Sequence, residues 1–123
     1  MKLDFDQTPY ALSITAYSKE GITLSDRLLT EPFVVKGSDI LLDIVPKSAE
    51  AIGRDHIELL VQLNPSLIII GTGSTQTFLD ALVLRPALEA NVGVDVMSTA
   101  AACRSFNVLV AENRAVVGVF YTL

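Results

Sequence analysis

The chain has 123 residues and a mass of 13.2 kDa, a size that predicts a single domain over residues 1–123. Half of the residues are hydrophobic and 19% are charged, so a core can form and the composition lacks the signature of intrinsic disorder. Fourteen acidic residues against nine basic ones give a net charge of −5, which argues against nucleic acid or an anionic membrane surface as a partner.

The N-terminal stretch and the cysteine usage favour a soluble cytoplasmic protein. Asp4 and Asp6 stand where a secretory signal peptide needs an apolar core, and the Arg-rich character of a mitochondrial presequence is missing. Because no apolar run approaches the roughly 20 residues that cross a bilayer, we expect no integral membrane segment. Cys103 is the single cysteine and cannot form an internal disulfide, which suits a reducing compartment.

The first half of the chain has the pattern of antiparallel strands. In "LSITAY", the apolar residues Leu12, Ile14 and Ala16 alternate with their neighbours, which predicts a half-buried strand. A turn that ends at Gly21 leads into a return strand. The segments "PFVV" and "ILLDIV" then flank a loop around Gly37, which predicts a second hairpin.

The second half of the chain alternates between helical and strand patterns. Asp55, with Glu58 three residues later, predicts the N-cap of a helix that ends before Pro65. The run "LIII" is apolar at every position, which is typical of a strand buried on both faces. Thr77 is expected to cap a short helix with Asp80 at its third position, and Pro86 predicts a break in that helix.

The last third of the chain completes a β–α–β–α–β order. "NVGVDVM" predicts a strand, "STAAACRSFNVLVAE" predicts a helix capped by Ser98 or Thr99, and "AVVGVFY" predicts a final strand of undetermined direction. Right-handed crossovers make neighbouring strands parallel in such an order. We therefore expect an α/β fold with three layers, in which helices pack on a mixed β-sheet that follows an antiparallel N-terminal portion.

The stretch "GTGST" after "LIII" is the most site-like motif in the chain. A dinucleotide-binding fingerprint is excluded, because Gln76 stands where the third glycine should be, and no Gly-Lys-Ser/Thr follows for a P-loop. Two interpretations remain. The glycines either permit a tight turn only, or the turn and the "STAA" helix start form an anion site at the carboxyl edge of the strands. The anion site would use Gly71, Thr72, Gly73, Ser74, Ser98, Thr99, Arg104 and Asn107.

Arg104 and Asn107 lie three residues apart on one helix, so their side chains project in similar directions. They either serve a ligand site or have a structural role. In the structural role, Arg104 would pair with a surface carboxylate and Asn107 would bond to a loop backbone.

The sequence contains no catalytic or metal-binding set. Cys103 is expected to be a small buried hydrophobic residue. The alternative is a nucleophile that uses His56, the single histidine, as its base, although His56 begins a different helix. One cysteine and one histidine cannot supply a usual structural zinc site, and the carboxylates are scattered. We therefore expect no cofactor, no metal and no catalytic residue.

The motifs "IIIGTGSTQTF" and "AACRSFN", in this order, resemble the small family of unknown function that includes mitochondrial NADH dehydrogenase (complex I) assembly factor 3. The resemblance implies a compact three-layer α/β fold, and a binding role rather than catalysis for the mitochondrial member. The positions that match are Gly71, Thr72, Gly73, Arg104 and Asn107. Unlike the mitochondrial member, the chain shows no presequence pattern, so a bacterial cytoplasm is the expected location. It also lacks the tryptophan that many relatives carry near "VPKSAEAI", which argues against a shared partner surface there.

Two functions of different classes follow. The first is a non-catalytic protein-interaction module of the assembly-factor type, linked to respiratory complexes, with an unidentified protein partner. The C-terminal "VVGVFYTL" is a candidate interface, because neither face of this strand is polar. The alternative is a small-ligand or anion-binding protein, or an unrecognised enzyme, that uses the "GTGS" turn and Arg104. A homo-oligomer is compatible with either function.

Overall fold

The computed structural model describes residues 12–123, so the expectations for Asp4 and Asp6 lie outside it. Over this range the chain forms eight strands and three α-helices. In chain order the elements are β1 (Ile14–Ser18), β2 (Gly21–Leu24), β3 (Arg27–Leu29), β4 (Phe33–Lys36), β5 (Asp39–Leu41), α1 (Arg54–Val61), β6 (Leu67–Gly71), α2 (Ala81–Glu89), β7 (Gly93–Met97), α3 (Thr99–Ala111) and β8 (Val116–Phe120).

The strands form two sheets. An antiparallel sheet contains β1, β2 and β3, and a five-stranded mixed sheet has the order β5-β4-β8-β6-β7. Strand β6 pairs in parallel with both β7 and β8, whereas β8 pairs with β4 antiparallel. The predicted α/β class, with a mixed sheet and an antiparallel N-terminal portion, is confirmed, and the last strand runs parallel to β6.

The five-stranded sheet is covered on both faces. Helices α1 and α2 pack on one face, where Ile68 and Ile70 of β6 are fully buried. Helix α3 and the three-stranded sheet cover the other face, where Ile69 lies in one cluster with Phe106 and Phe120. The apolar run at β6 is therefore buried on both faces, as its composition predicted.

Strand β1 departs from the predicted alternation. The register against β2 shifts between Ile14 and Ala16, so one residue is inserted. Ile14 then pairs with Leu24 and Tyr17 pairs with Ile22, which brings Ile14 and Tyr17 to the same face of the sheet. The prediction of a buried Ala16 is wrong, because this bulge turns Ala16 toward solvent.

The starts of α1 and α2 were predicted at the wrong residues. Helix α1 begins after Gly53, whose N–H donates to His56 Nδ1 at 2.8 Å, so Asp55 lies inside the helix. Helix α2 begins after Asp80, whose Oδ1 accepts from Leu82 N at 2.9 Å. For α3, Ser98 is the N-cap, as one of the two predicted candidates.

Pro86 lies inside α2 without the predicted break. Proline removes one helical hydrogen bond, in this case to the carbonyl of Leu82 four residues earlier. Because Leu82 is on the exposed side of the helix, water can satisfy that carbonyl. The helix therefore continues through the proline.

The C-terminal strand β8 lies in the middle of the sheet and does not form part of the protein surface. Strand β8 lies between β4 and β6, and all five of its residues are buried. The prediction that this strand offers an apolar interface is wrong, because its apolar residues form the core on both sides of the sheet.

Candidate functional site

The glycine turn and the start of α3 meet at the carboxyl edge of the parallel strands. Thr99 N donates to Gly73 O at 2.8 Å, and Gly73 N donates to Thr99 Oγ1 at 2.8 Å. The Thr99 hydroxyl then donates to Tyr121 O at 2.6 Å, and its residue is fully buried. We call this set, Gly71–Ser74 with Ser98 and Thr99, the glycine junction. It joins three chain segments that are distant in sequence.

Thr72 holds the rest of the turn in the same way. Its N–H donates to Met97 O at 2.9 Å, and its Oγ1 donates to Thr75 O at 2.7 Å and accepts from Thr77 N at 2.9 Å. Thr77, which was predicted to cap α2, is therefore used to close the turn. The Thr72 amide and hydroxyl and the Thr77 amide are therefore all hydrogen-bonded within the fold.

Gly71 and Gly73 are each required to be glycine, for different steric reasons. A Cβ on Gly71 would lie 2.9 Å from Ala102 Cβ and 3.0 Å from Thr99 Cα, closer than side-chain contacts allow. Gly73 has a φ of 111°, which side-chain-bearing residues rarely adopt. Both glycines let α3 lie directly against the end of β6, so the architectural interpretation of the turn accounts for them.

The anion-site alternative finds no support in this arrangement. The amide of Gly73 donates to Thr99, and the Ser98 hydroxyl accepts from Ala101 N at 3.4 Å. Arg104, the expected cation, lies away from the junction and donates to the Tyr17 hydroxyl at 3.4 Å. Ligand binding by the eight proposed residues stays a prediction.

Asn107 connects α3 to the three-stranded sheet. Its Oδ1 accepts from Ile14 N at 2.8 Å and its Nδ2 donates to Ile14 O at 2.7 Å, as a neighbouring strand would. The structural alternative predicted a backbone partner for Asn107, and that partner belongs to β1 rather than to a loop. The carboxylate partner predicted for Arg104 is wrong in the described structure, where Tyr17 takes that place.

Cys103 and His56 do not form a catalytic pair. Cys103 is 2% exposed in the cluster beneath α3, and burial raises the pKa of its thiol to about 11 although the Arg104 charge lowers it. His56 lies on α1, which packs on the opposite face of the sheet, and its Nδ1 accepts from Gly53 N. Within residues 12–123 no group of three His, Cys, Asp or Glu side chains could hold a metal ion.

A second candidate site lies where β7 borders α3. An open groove of about 390 Å³ has apolar walls from Leu67 and Ile69 of β6 and from Val108 and Leu109 of α3. The charged residues Asp95 and Arg104 also line it. We call this the edge groove. Sequence reasoning found Arg104 but missed Asp95, although an acidic residue between two valines in "VDV" was the available signal.

Large apolar side chains are exposed elsewhere on the surface. Phe78 is 83% exposed in the loop before α2, and Leu88 is 78% exposed near its end. Val108, beside the edge groove, is 56% exposed. Such side chains mark interaction surfaces when they lie together, although single ones are normal.

Comparison with known proteins places the chain in a family. Residues 14–121 match the family described as "Protein of unknown function (DUF498/DUF598)". The chain belongs to this family. A family resemblance was also predicted from the "GTGSTQ" and "AACRSFN" motifs, and it is confirmed.

Three similar proteins illustrate what this DUF498 member resembles. NADH dehydrogenase [ubiquinone] 1 alpha subcomplex assembly factor 3 of Xenopus tropicalis is 30% identical over 115 residues, which are 92% of this chain and 62% of the relative. The "13 kDa major membrane protein" of Francisella tularensis is 36% identical over 65 residues, 53% of each chain. A crystal structure from Bordetella parapertussis, 26% identical, has a TM-score of 0.85 and covers 92% of this chain and 97% of that one.

The DUF498 chain spans 62% and 53% of the length of these two curated relatives. None of the helices in the described part of the chain has both the length and the hydrophobicity that crossing a membrane requires.

Proposed function

We propose that this protein is a non-catalytic protein-binding module of the assembly-factor type, linked to the assembly of respiratory complexes. The observation that carries the proposal is the 30% identity to a complex I assembly factor over 92% of this chain. The shared region includes the whole α/β fold, since the family match runs from β1 to the residue after β8.

The surface of the molecule supports a binding role. The edge groove offers apolar walls beside two charged residues, and Phe78 and Leu88 are largely exposed. In contrast, the Gly73 amide and the Thr99 hydroxyl of the glycine junction already have hydrogen-bond partners within the fold. Protein partners use apolar surface bordered by charge, whereas an anion needs free donors.

Affinity capture from a native lysate of the source organism, with chemical cross-linking and mass spectrometry, tests this function. We expect reproducible enrichment of a respiratory-complex subunit by the wild-type protein. Cys103→Ala is the matched control, because a buried thiol contributes no surface and its replacement should leave the capture unchanged. If cross-linked capture repeatedly returns no respiratory subunit, the proposal is wrong.

The bacterial cytoplasm is the location that we propose for this binding. The acidic net charge of −5 supports it, because anionic membrane surfaces repel such a protein. Fractionation with an antibody against the native protein tests it. The name of the Francisella relative, a membrane protein, makes the membrane fraction the informative alternative.

A further inference from the structure

Strand β7 is the terminal strand of the five-stranded sheet, and two of its five residues direct their backbone N–H and C=O groups outward. Gly93 N donates to Ser66 O and Met97 O accepts from Thr72 N, so residues 93, 95 and 97 bond toward β6. In a parallel ladder the intervening residues point the other way. The N–H and C=O groups of Val94 and Val96 therefore face away from the sheet.

Only one of these four outward groups has a partner within residues 12–123. Gln76 Nε2 donates to Val96 O at 2.8 Å and covers that carbonyl. The Val94 N–H, the Val94 C=O and the Val96 N–H have none in the same range. An edge with unpaired backbone groups is a template for another strand.

The edge groove lies beside this strand on the face of α3. Asp95 lies between the two valines and lines the groove with Leu67 and Ile69, whereas Val94 and Val96 pack on the opposite face. A strand added to β7 would place one of its side chains next to Asp95. The side chains two residues before and two residues after that one would lie on the same face of the sheet, where Val108 forms part of the groove wall.

The charges around the edge groove indicate which side chain an added strand would place opposite Asp95. Asp95 is exposed, and no ion pair within 4.0 Å joins it to Arg104, although both residues line the groove. The net charge of the whole protein is −5. A basic side chain opposite Asp95 is therefore favoured, both by the local carboxylate and by the overall field.

We propose that an extended segment of a partner protein pairs with β7 as a sixth strand, with a Lys or Arg side chain facing Asp95 and apolar residues entering the edge groove. This inference rests on the proposed protein-binding function and names the chemistry of the partner. Strand addition of this kind obtains affinity from backbone bonds and specificity from alternate side chains.

A second copy of this chain fits the edge less well. An antiparallel pair of β7 strands centred on Asp95 would place two Asp95 carboxylates directly opposite each other. Like charges in this position destabilise a strand pair. The edge therefore favours a basic partner segment over self-association.

Titration of isotope-labelled protein with synthetic peptides, followed by NMR, tests the inference. The probe is an acetylated and amidated nine-residue peptide of alternating valine and threonine, with arginine at its centre and valine two residues to either side. We expect shifts centred on Val94 and Val96, slower exchange of their amide protons, and about two- to fivefold tighter binding than a matched peptide with central glutamate. N-methylation of the peptide amides that face β7 should remove the binding.

Two variants give a matched pair. Asp95→Arg should reverse the preference, so that the glutamate peptide binds about two- to fivefold more tightly than the arginine peptide. Glu20→Arg, which makes the same charge change in the exposed turn before β2, should leave the preference as in the wild type.

Gln76→Ala frees the Val96 carbonyl and should tighten binding about two- to tenfold through one more backbone bond.

Three results would overturn the inference: shifts confined to other surfaces, equal binding of the two peptides, or a dimer that protects the Val94 and Val96 amides without peptide. The larger proposal fails separately. If capture returns a respiratory subunit in equal yield with Asp95→Arg and with the wild type, the strand-addition site is wrong and the assembly function stands. If the peptides bind as expected but no respiratory subunit is captured, the strand-addition site stands and the assembly function is wrong.

Discussion

The glycine junction and the edge groove both border β7, but they differ in whether their polar groups are hydrogen-bonded within the fold. At the junction, the hydroxyl and amide of Thr99 both bond to Gly73, and the hydroxyl also reaches Tyr121. At the edge, the amides of Val94 and Val96 have no partner within residues 12–123, and Asp95 is exposed. The glycine-rich motif therefore builds the fold, and the plain strand beside it offers the surface for binding.

Replacing the buried hydroxyl of the junction should have the largest effect. Thr99→Val keeps the shape of the side chain but leaves Gly73 N and Tyr121 O without a partner. Two unsatisfied buried groups predict a loss of about 2–4 kcal/mol in the free energy of unfolding. Urea denaturation measures it, with Thr99→Ser as the control that keeps the hydroxyl. A loss under about 1 kcal/mol would show that the junction is not closed as described.

Alkaline pH should have the second largest effect, by lowering the free energy of unfolding through the buried Cys103 thiol of α3. Burial raises the pKa of Cys103 from 9.0 to about 11, so the unfolded chain loses the thiol proton at lower pH than the folded one. The stability that this neutral thiol contributes is complete below pH 9 and is lost as the pH rises toward 11, by roughly 2–3 kcal/mol.

The control for this pH dependence is Cys103→Ala, measured by urea denaturation at each pH. Burial, and to a lesser extent the negative charge of Glu50, also raises the pKa of Tyr121, which adds a loss at higher pH in both proteins. The difference between the two curves isolates the thiol. Parallel curves from pH 8 to 11 would mean that Cys103 is accessible to water.

The bond between α3 and β1 should have a smaller effect. Asn107→Ala removes both hydrogen bonds to the Ile14 backbone, in a partly buried position that water can enter. We expect a loss of about 1–2 kcal/mol by urea denaturation and faster amide exchange at Ile14. Asn107→Asp keeps an acceptor for Ile14 N and should lose less. Unchanged exchange at Ile14 in Asn107→Ala would contradict this role.

Changes at the open edge should affect stability least. Asp95→Arg replaces an exposed side chain and should change the free energy of unfolding by no more than about 0.5 kcal/mol, although it reverses the peptide preference. Equal unfolding midpoints of Asp95→Arg and wild type in urea would sharpen the contrast with Thr99→Val. A loss above about 1 kcal/mol would place Asp95 in the fold rather than in a binding surface.

Much of the fold was predictable from local patterns. The four-residue run "LIII" identified a strand buried on both faces, and the β–α–β–α–β order identified parallel neighbours. Element starts were less predictable, because several residues near each helix can serve as caps. Asp55 and Thr77 are good caps by type, but Gly53 with His56 and Asp80 hold those positions.

The sequence by itself determined the α/β class and the burial of β6, and it limited the cap of α3 to Ser98 or Thr99, because these depend on residue type and short-range periodicity. Only the tertiary structure decided which polar groups remain available. Thr99 and Tyr121 are 22 residues apart, and Asn107 and Ile14 are 93 apart, yet each pair shares a short hydrogen bond. A polar side chain bonds to whichever group folding brings near it, so the closed junction and the open edge at β7 appear only once distant segments have packed together.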